Sequence, residues 1–245
     1  MTHANKMTAL VTGGSTGIGL AICRALLESG YDVIALSRRP AGIDSPRLRS
    51  VIVDLSDAQA TAEVARAIAA TTAITTIVHN AGATREKLVE DVQLQDIEAL
   101  THLHLSAPLA LLQANLPAMK TARYGRVVLI ASRAMLGLAR RTAYAATKAG
   151  MVGLARTWAL ELGSHGVTVN VVAPGPIEET EMYDLVLGDD QERRARLAKS
   201  IPVGRVGRPD DVARAVSFFV APANSFVTGQ TLFVCGGASV GSLTI

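Results

Sequence analysis

Short apolar runs alternate with amphipathic stretches along the whole chain. The runs fall at TALV (8–11), DVIAL (32–36), SVIVD (50–54), ITTIV (74–78), RVVLIA (126–131), TVNVVA (168–173) and TLFV (231–234). Between them, apolar residues recur at helical spacing over 18–29, 57–70, a long stretch of about 93–116, 143–162, near 183–199 and 209–220. That period is the signature of a helix with one buried face. The strand runs are nearly continuous Val, Ile and Leu, which marks strands covered on both faces of a parallel sheet. Strict alternation of the two element types predicts an α/β fold, a doubly wound parallel sheet with helices on both faces. No linker, low-complexity block or repeat divides the chain, so residues 1–245 are expected to form a single domain.

The turns after the strands carry the first chemistry. After the first strand comes Thr12-Gly13-Gly14-Ser15-Thr16-Gly17-Ile18-Gly19, leading into the first helix. Glycines here permit a tight turn and close backbone approach to a pyrophosphate, which the free N–H groups and positive dipole end of the helix attract. The expected cofactor contacts are Gly13, Ser15, Thr16, Gly17, Ile18 and Gly19. A carboxylate at the end of the second strand would accept from an adenosine ribose diol and repel a 2′-phosphate. The chain instead has Ser37-Arg38-Arg39, with room beside the serine and a guanidinium able to fork onto phosphate. NADP(H) is therefore expected over NAD(H). Asp54-Leu55 and Asn80-Ala81-Gly82 follow the next two strands and face the same crevice, Asp54 suited to an adenine amino group.

A second constellation lies at 132–148, SRAMLGLARRTAYAATK. Tyr144 and Lys148 are four apart and share a helical face. A nearby ammonium favours phenolate, so Lys148 is expected to lower the Tyr144 pKa and fit the phenol for proton transfer at a carbonyl or alcohol. Ser132 stands twelve residues ahead of the tyrosine.

Composition narrows the setting. A hydrophobic fraction of 49% with 18% charged residues describes a chain with a large core and excludes disorder. The net charge of +3 is mild and, with no basic tract or aromatic stripe, gives no sign of nucleic acid. Cys23 and Cys235 lie far apart and form no ligand-spaced cluster. Neither a disulfide framework nor a metal site is expected, which suits a reducing cytoplasm. The N-terminal stretch MTHANKMTALVTGG has no apolar run of signal-peptide length, and no uncharged run reaches membrane-span length.

Taken together, TGGSTGIG (12–19), Asp54, NAG (80–82), Ser132, YAATK (144–148), Asn170, PGPI (174–177) and GRVGRPDDVA (204–213) resemble the short-chain dehydrogenase/reductase family over essentially the whole chain. The resemblance implies a Rossmann-like domain, a nicotinamide cofactor and a homotetramer, or a homodimer, built partly on the long fourth and fifth helices. It makes Tyr144 the acid or base, Lys148 the residue that lowers its pKa and holds the nicotinamide ribose, and Ser132 the donor to the substrate oxygen. It adds Pro174, Gly175, Ile177 and Thr180 to the cofactor contacts.

Three departures stand out. His104, in HLHLSAP, occupies the place of the family's relay asparagine, so a modified proton relay through histidine is expected, or none. The loop 133–143 is one residue shorter than usual. Ile177-Glu178-Glu179-Thr180 is one longer, which leaves open whether Glu179 or Thr180 meets the nicotinamide amide.

The resemblance implies a small carbonyl or alcohol substrate, and a charged helical lid is expected over 178–203. Arg133, Arg140 and Arg141 suit an anionic substrate such as a carboxylate or an acyl-carrier phosphopantetheine, or equally a surface or subunit contact. Met135, Leu136, Leu138 and Met182 suggest an apolar wall for a hydrophobic or cyclic ketone. Three activities stay open: an NADP(H)-dependent ketoreductase, including the 3-oxoacyl-thioester type; an NAD-dependent polyol, sugar or cyclic-diol dehydrogenase; and a catalytically impaired NADP(H)-binding sensor or scaffold.

Overall fold

The computed structural model of the protein describes residues 7–240, so residues 1–6 of the MTHANKMTALVTGG stretch lie outside it. Seven strands form one wholly parallel sheet: β1 (Thr8–Thr12), β2 (Asp32–Ser37), β3 (Leu48–Ile52), β4 (Thr76–His79), β5 (Gly125–Ile130), β6 (Val167–Pro174) and β7 (Thr231–Val234). Their order is β3-β2-β1-β4-β5-β6-β7. Among the described residues eight α-helices connect them: α1 (Gly17–Glu28), α2 (Ala58–Thr71), α3 (Leu94–Thr101), α4 (Ala107–Ala122), α5 (Thr142–Leu162), α6 (Glu181–Leu187), α7 (Gln191–Ser200) and α8 (Pro209–Val220). The doubly wound α/β expectation holds.

Successive side chains of a strand point to opposite faces, and the core divides accordingly. On one face Leu10, Leu36, Ile77, Val127, Leu129, Val169 and Val171 meet Ile68, Leu111, Met151 and Trp158. On the other Ala9, Val11, Val33, Val78, Val128 and Val172 meet Ile22, Leu26, Val212, Val216 and Phe219. Central strands covered on both faces must be apolar throughout. The edge strands β3 and β7 contain no fully buried residue. The first of them pairs through Leu48–Ile52, earlier than the 50–54 run suggested, because Val33 to Ser37 of β2 take Leu48 to Ile52 as partners.

Two expected helices are divided. The stretch 93–116 is interrupted by a π-helical turn over 102–106. Pro108 lacks the N–H that an α-helix would direct to the His104 carbonyl, and Ala107 N–H reaches back five residues to the His102 carbonyl. The wider turn rotates His104 inward, where it is completely buried. The 183–199 stretch separates into α6 and α7 at Gly188, whose φ of +59° ends the first, while Asp190 caps the second by accepting from Arg193 N–H at 2.9 Å.

Strand order reverses between β1 and β4. A crevice opens there beyond the carboxyl ends of the strands, the place where such sheets hold ligands.

Candidate active site

A cleft of about 620 Å³ runs across that crevice and is lined at one end by Gly13, Ser15, Thr16, Gly17, Ile18, Ser37, Arg38, Arg39, Asp54 and Leu55. Asn80, Ala81, Gly82, Pro174, Gly175, Ile177 and Thr180 line its middle, and Ser132, Tyr144 and Lys148 its other end. Of the expected cofactor residues, Gly19 alone stands behind this lining. A Cβ on it would come within 2.0 Å of the Gly13 carbonyl oxygen, so this glycine lets the helix close on the turn.

The turn itself is held from below. Thr12 Oγ1 accepts from the Asn80 and Ala81 backbone N–H groups, both at 2.9 Å, and Asn80 Nδ2 donates to the Thr12 and Gly13 carbonyls. His79, fully buried, ties this knot to the π turn: its Nε2 lies 3.0 Å from the Leu103 carbonyl and its Nδ1 3.0 Å from Thr12 Oγ1. Since the carbonyl can only accept, Nε2 carries the proton and Nδ1 accepts from Thr12. Asn80 therefore acts here through its side chain as a brace for the glycine turn. Neither Thr12 nor His79 was legible as a site residue, although Thr12 opens the glycine motif and His79 directly precedes Asn80.

At the second strand's end Ser37 Oγ donates to the Arg39 carbonyl at 2.6 Å, leaving Arg38 exposed at the cleft, while Arg39 forms an ion pair with Glu181 at the start of α6. Asp54 Oδ1 accepts from both Ser56 N–H and its hydroxyl, and these bonds hold the carboxyl below its usual range. Thr180 donates to the Ile177 carbonyl at 2.9 Å, accepts from Tyr183 N–H, and sets its methyl group against Gly17. Glu179 stands in the left-handed region at φ +57°, which accommodates the extra residue, and is absent from the cleft lining. Asn170 lies apart, bonded to Val227 and Gln230.

The end at Tyr144 and Lys148 is built from buried side chains. Lys148 Nζ donates to the Ile130 carbonyl at 2.7 Å and stands 5.7 Å from the centre of the Tyr144 ring. Burial pushes this ammonium down to about 7. The expectation that Lys148 lowers the Tyr144 pKa is corrected by the structure. Burial raises the phenol, and the groups pulling it down are the Ser132 hydroxyl and the Arg141 guanidinium. Desolvation of the phenolate outweighs both here.

His104 lies edge-on to Tyr144, with ring centroids 5.7 Å apart. Its Nδ1 is 2.8 Å from Thr147 Oγ1, whose own proton goes to the Ala143 or Tyr144 carbonyl. Nδ1 is thus the protonated nitrogen, and Nε2 accepts from Ala83 N–H at 3.3 Å. Burial and the neighbouring Lys148 charge hold the imidazole neutral far below its ordinary range. A relay that passes through an imidazolium is opposed by this setting. Thr147, one residue before the lysine, is a further contributor that sequence reasoning missed.

The expected lid region supplies Met182, Tyr183, Val186, Leu187 and Leu197 to the cleft. Among the described residues no cluster of His, Cys, Asp or Glu is arranged to hold a metal ion, and no helix is long and apolar enough to cross a membrane.

A family model described as enoyl-(acyl carrier protein) reductase matches residues 13–239. The 3-oxoacyl-[acyl-carrier-protein] reductase of Rickettsia bellii (strain RML369-C) is 34% identical over 246 residues, covering 97% of this chain and 98% of its own. Among solved structures, a protein provisionally described as an NAD(P)-dependent gluconate 5-dehydrogenase from Beutenbergia cavernae, with NADP bound at low occupancy, gives a TM-score of 0.88 at 35% identity, covering 96% of this chain and 97% of that one. A 3-oxoacyl (acyl-carrier-protein) reductase from Agrobacterium tumefaciens C58 with NADP bound gives 0.86 at 30% identity, covering 94% and 93%. Fold, cleft and relatives define a nucleotide-dependent oxidoreductase. The chain belongs to the short-chain dehydrogenase/reductase family.

Proposed function

We propose that this protein interconverts a ketone and a secondary alcohol with NADP(H), using Tyr144 as acid or base and Ser132 to orient the substrate oxygen. The observation that carries this reading is the meeting of Ser132, Tyr144 and Lys148 at one end of a cleft whose other end presents the glycine turn, Ser37 and Arg38.

The residues present fit the cofactor. Gly13, Gly17 and Gly175 line the cleft without side chains, and their protein neighbours keep them so: a Cβ would come within 2.9 Å of Asn80 Nδ2 at Gly13, 3.0 Å of the Thr180 methyl at Gly17 and 2.9 Å of Cys235 Cα at Gly175. The first turn of α1 carries no acidic side chain to oppose a pyrophosphate. Arg38 and the absence of a carboxylate beside Ser37 favour the 2′-phosphate, in keeping with the NADP bound by both structural relatives. When bound, the nicotinamide supplies or accepts the hydride.

The chain's own part is the oxygen. The Ser132 and Tyr144 hydroxyls both donate to it, stabilising the charge that develops there, and Tyr144 passes its proton in the reducing direction. Lys148 would hold the nicotinamide ribose from its anchor on the Ile130 carbonyl. His104 positions this group by fixing the Thr147 end of the α5 turn, with its single lone pair turned towards Ala83.

Purified protein is expected to oxidise NADPH with members of a panel of ketones, β-oxoacyl thioesters and oxo acids. Tyr144→Phe should lower turnover by about 10²- to 10⁴-fold, the size of a lost general acid, while NADPH affinity measured by fluorescence stays within about twofold of wild type. An active Tyr144→Phe variant would remove the proposed acid from the mechanism.

A further inference from the structure

The substrate end of the cleft is strongly cationic for its size. Arg85, Arg133 and Arg141 line it. With Lys87 and Arg140 beside them, five cations surround two carboxylates: Glu86 faces Arg140 and Arg141, and Asp96 faces Arg85 and Lys87. Glu181, also at the cleft, is engaged by Arg39.

Arg141 differs from its neighbours. It is only 6% exposed, whereas the side chains of Arg85 and Arg140 are about half exposed. A buried guanidinium is unfavourable unless its charge and its five N–H donors are matched. Among the described residues the one ionic partner of Arg141 is Glu86, 3.0 Å from Nη1 in an arrangement not aligned for a hydrogen bond. Its backbone is fixed by the short parallel bridge to Lys87 and by the Lys87 N–H to Arg140 carbonyl bond, at the N-terminus of the helix that carries Tyr144. The charge lies close enough to act on the Tyr144 phenol.

We propose that Arg141 is the receptor for a carboxylate on the substrate, so that the site takes short oxo-acid or hydroxy-acid anions. The inference rests on the ketone–alcohol reading above and names its substrate class. A guanidinium matches a carboxylate two bonds at a time. Its place beside Tyr144 puts that carboxylate within a few bonds of the reacting carbon. The phosphate of a phosphopantetheine carrier is separated from its thioester carbonyl by the whole pantetheine arm, and cannot sit at Arg141 while the carbonyl meets Tyr144. Leu100, Ala134, Leu138 and Met182 leave an apolar wall for the rest of a short acid.

The test compares 3-oxobutanoate and 4-methyl-2-oxopentanoate with their methyl esters, and with 3-oxobutanoyl-CoA, under NADPH. Wild type should favour at least one acid over its ester by about tenfold or more in kcat/KM, equivalent to about 1.4 kcal/mol. Arg141→Gln should erase that preference by raising KM for the acid alone, with the NADPH affinity unchanged, while any change in kcat through the Tyr144 phenol falls on acid and ester alike. Arg141→Lys, which keeps the charge and loses the fork, should fall between and serves if the glutamine variant is unstable. Calorimetry on the Tyr144→Phe protein with NADPH bound gives a readout independent of turnover, with acid binding expected and ester binding absent.

Equal turnover of acid and ester, a preference for the thioester, or an equal loss on both substrates in Arg141→Gln overturns this inference and leaves the ketone–alcohol reading standing. Failure of the Tyr144→Phe complex to bind either acid also overturns it. Arg141-dependent acid binding without turnover of any ketone by wild type supports the receptor and overturns the reading it rests on.

Discussion

At the nucleotide end of the cleft the walls are mostly backbone: glycines at 13, 17, 82 and 175, the N-terminus of α1, and a threonine–asparagine brace beneath. At the other end they are side chains, Tyr144 and Lys148 among them, with His104 behind the lining; all three are buried and each is neutralised or shifted by its surroundings. The first end depends on the absence of atoms, the second on the energy of charges in a poorly solvated place. Substitutions should therefore fail differently at the two ends, by steric exclusion at one and by altered protonation at the other.

The largest effect should come from Gly19→Ala. The new methyl would meet the Gly13 carbonyl at 2.0 Å, a backbone atom that cannot move without opening the turn. Overpacking of this kind costs about 1–3 kcal/mol or more. NADPH binding, followed by fluorescence, should be lost or nearly so, and the melting temperature should fall. Gly30→Ala offers the contrast: Gly30 stands at φ +90°, so an alanine there strains the backbone, but nothing lies within 4 Å of the added carbon and it is not part of the cleft lining, so NADPH affinity should be kept. Unchanged NADPH affinity in Gly19→Ala would break the account of a backbone-built end.

These two ends were also unequally legible. The glycine turn, Asn80 and the Tyr144/Lys148 pair can be read from spacing because each rests on local geometry, a strand-to-helix turn or one helical turn. The inward rotation of His104 depends on Pro108 four residues later and on where the missing N–H leaves the helix. The burial of Arg141 depends on the segment 85–88 crossing it from another part of the chain. The direction of the Tyr144 shift could not be read from its lysine neighbour, because desolvation is set by the packed surroundings. Gly188 at positive φ likewise divides the helical stretch expected over 183–199.

The reacting end should reveal itself in acid. Burial holds His79 down at about 3 from an ordinary 6.5, and His104 is lowered as well. An unfolded chain takes up both protons near 6.5 while the folded one resists. The stability from each neutral imidazole is thus fully present above that pH and is lost as pH falls towards the folded value. The loss approaches about 1.4 kcal/mol per pH unit for each group. Lys148, at about 7, alters stability only at higher pH, where the folded protein gains stability up to the ordinary lysine value. Urea unfolding followed between about pH 7 and about pH 5 should show a steep decline, and His104→Asn should make it shallower by up to the share of one histidine. An unchanged slope would mean that His104 is not held neutral, and would bring the histidine relay back into consideration.

The smallest effects lie at the exposed edge of the nucleotide end, where charge acts through water. Arg38→Ala should reduce an NADPH-over-NADH preference of about tenfold, or about 1.4 kcal/mol, to near parity. Arg39 differs because Glu181 already engages it, with both side chains more than half exposed at 57% and 60%. Exposed ion pairs contribute about 0–1 kcal/mol, so Glu181→Gln should tighten NADPH by at most about fivefold and leave NADH nearly unchanged. The sign matters more than the size. Tightening shows a carboxylate that competes with the 2′-phosphate for Arg39 and joins the start of α6 to the nucleotide end. Weakening of both cofactors alike would instead show that the pair holds α6 against the cleft, and that the two ends share a wall.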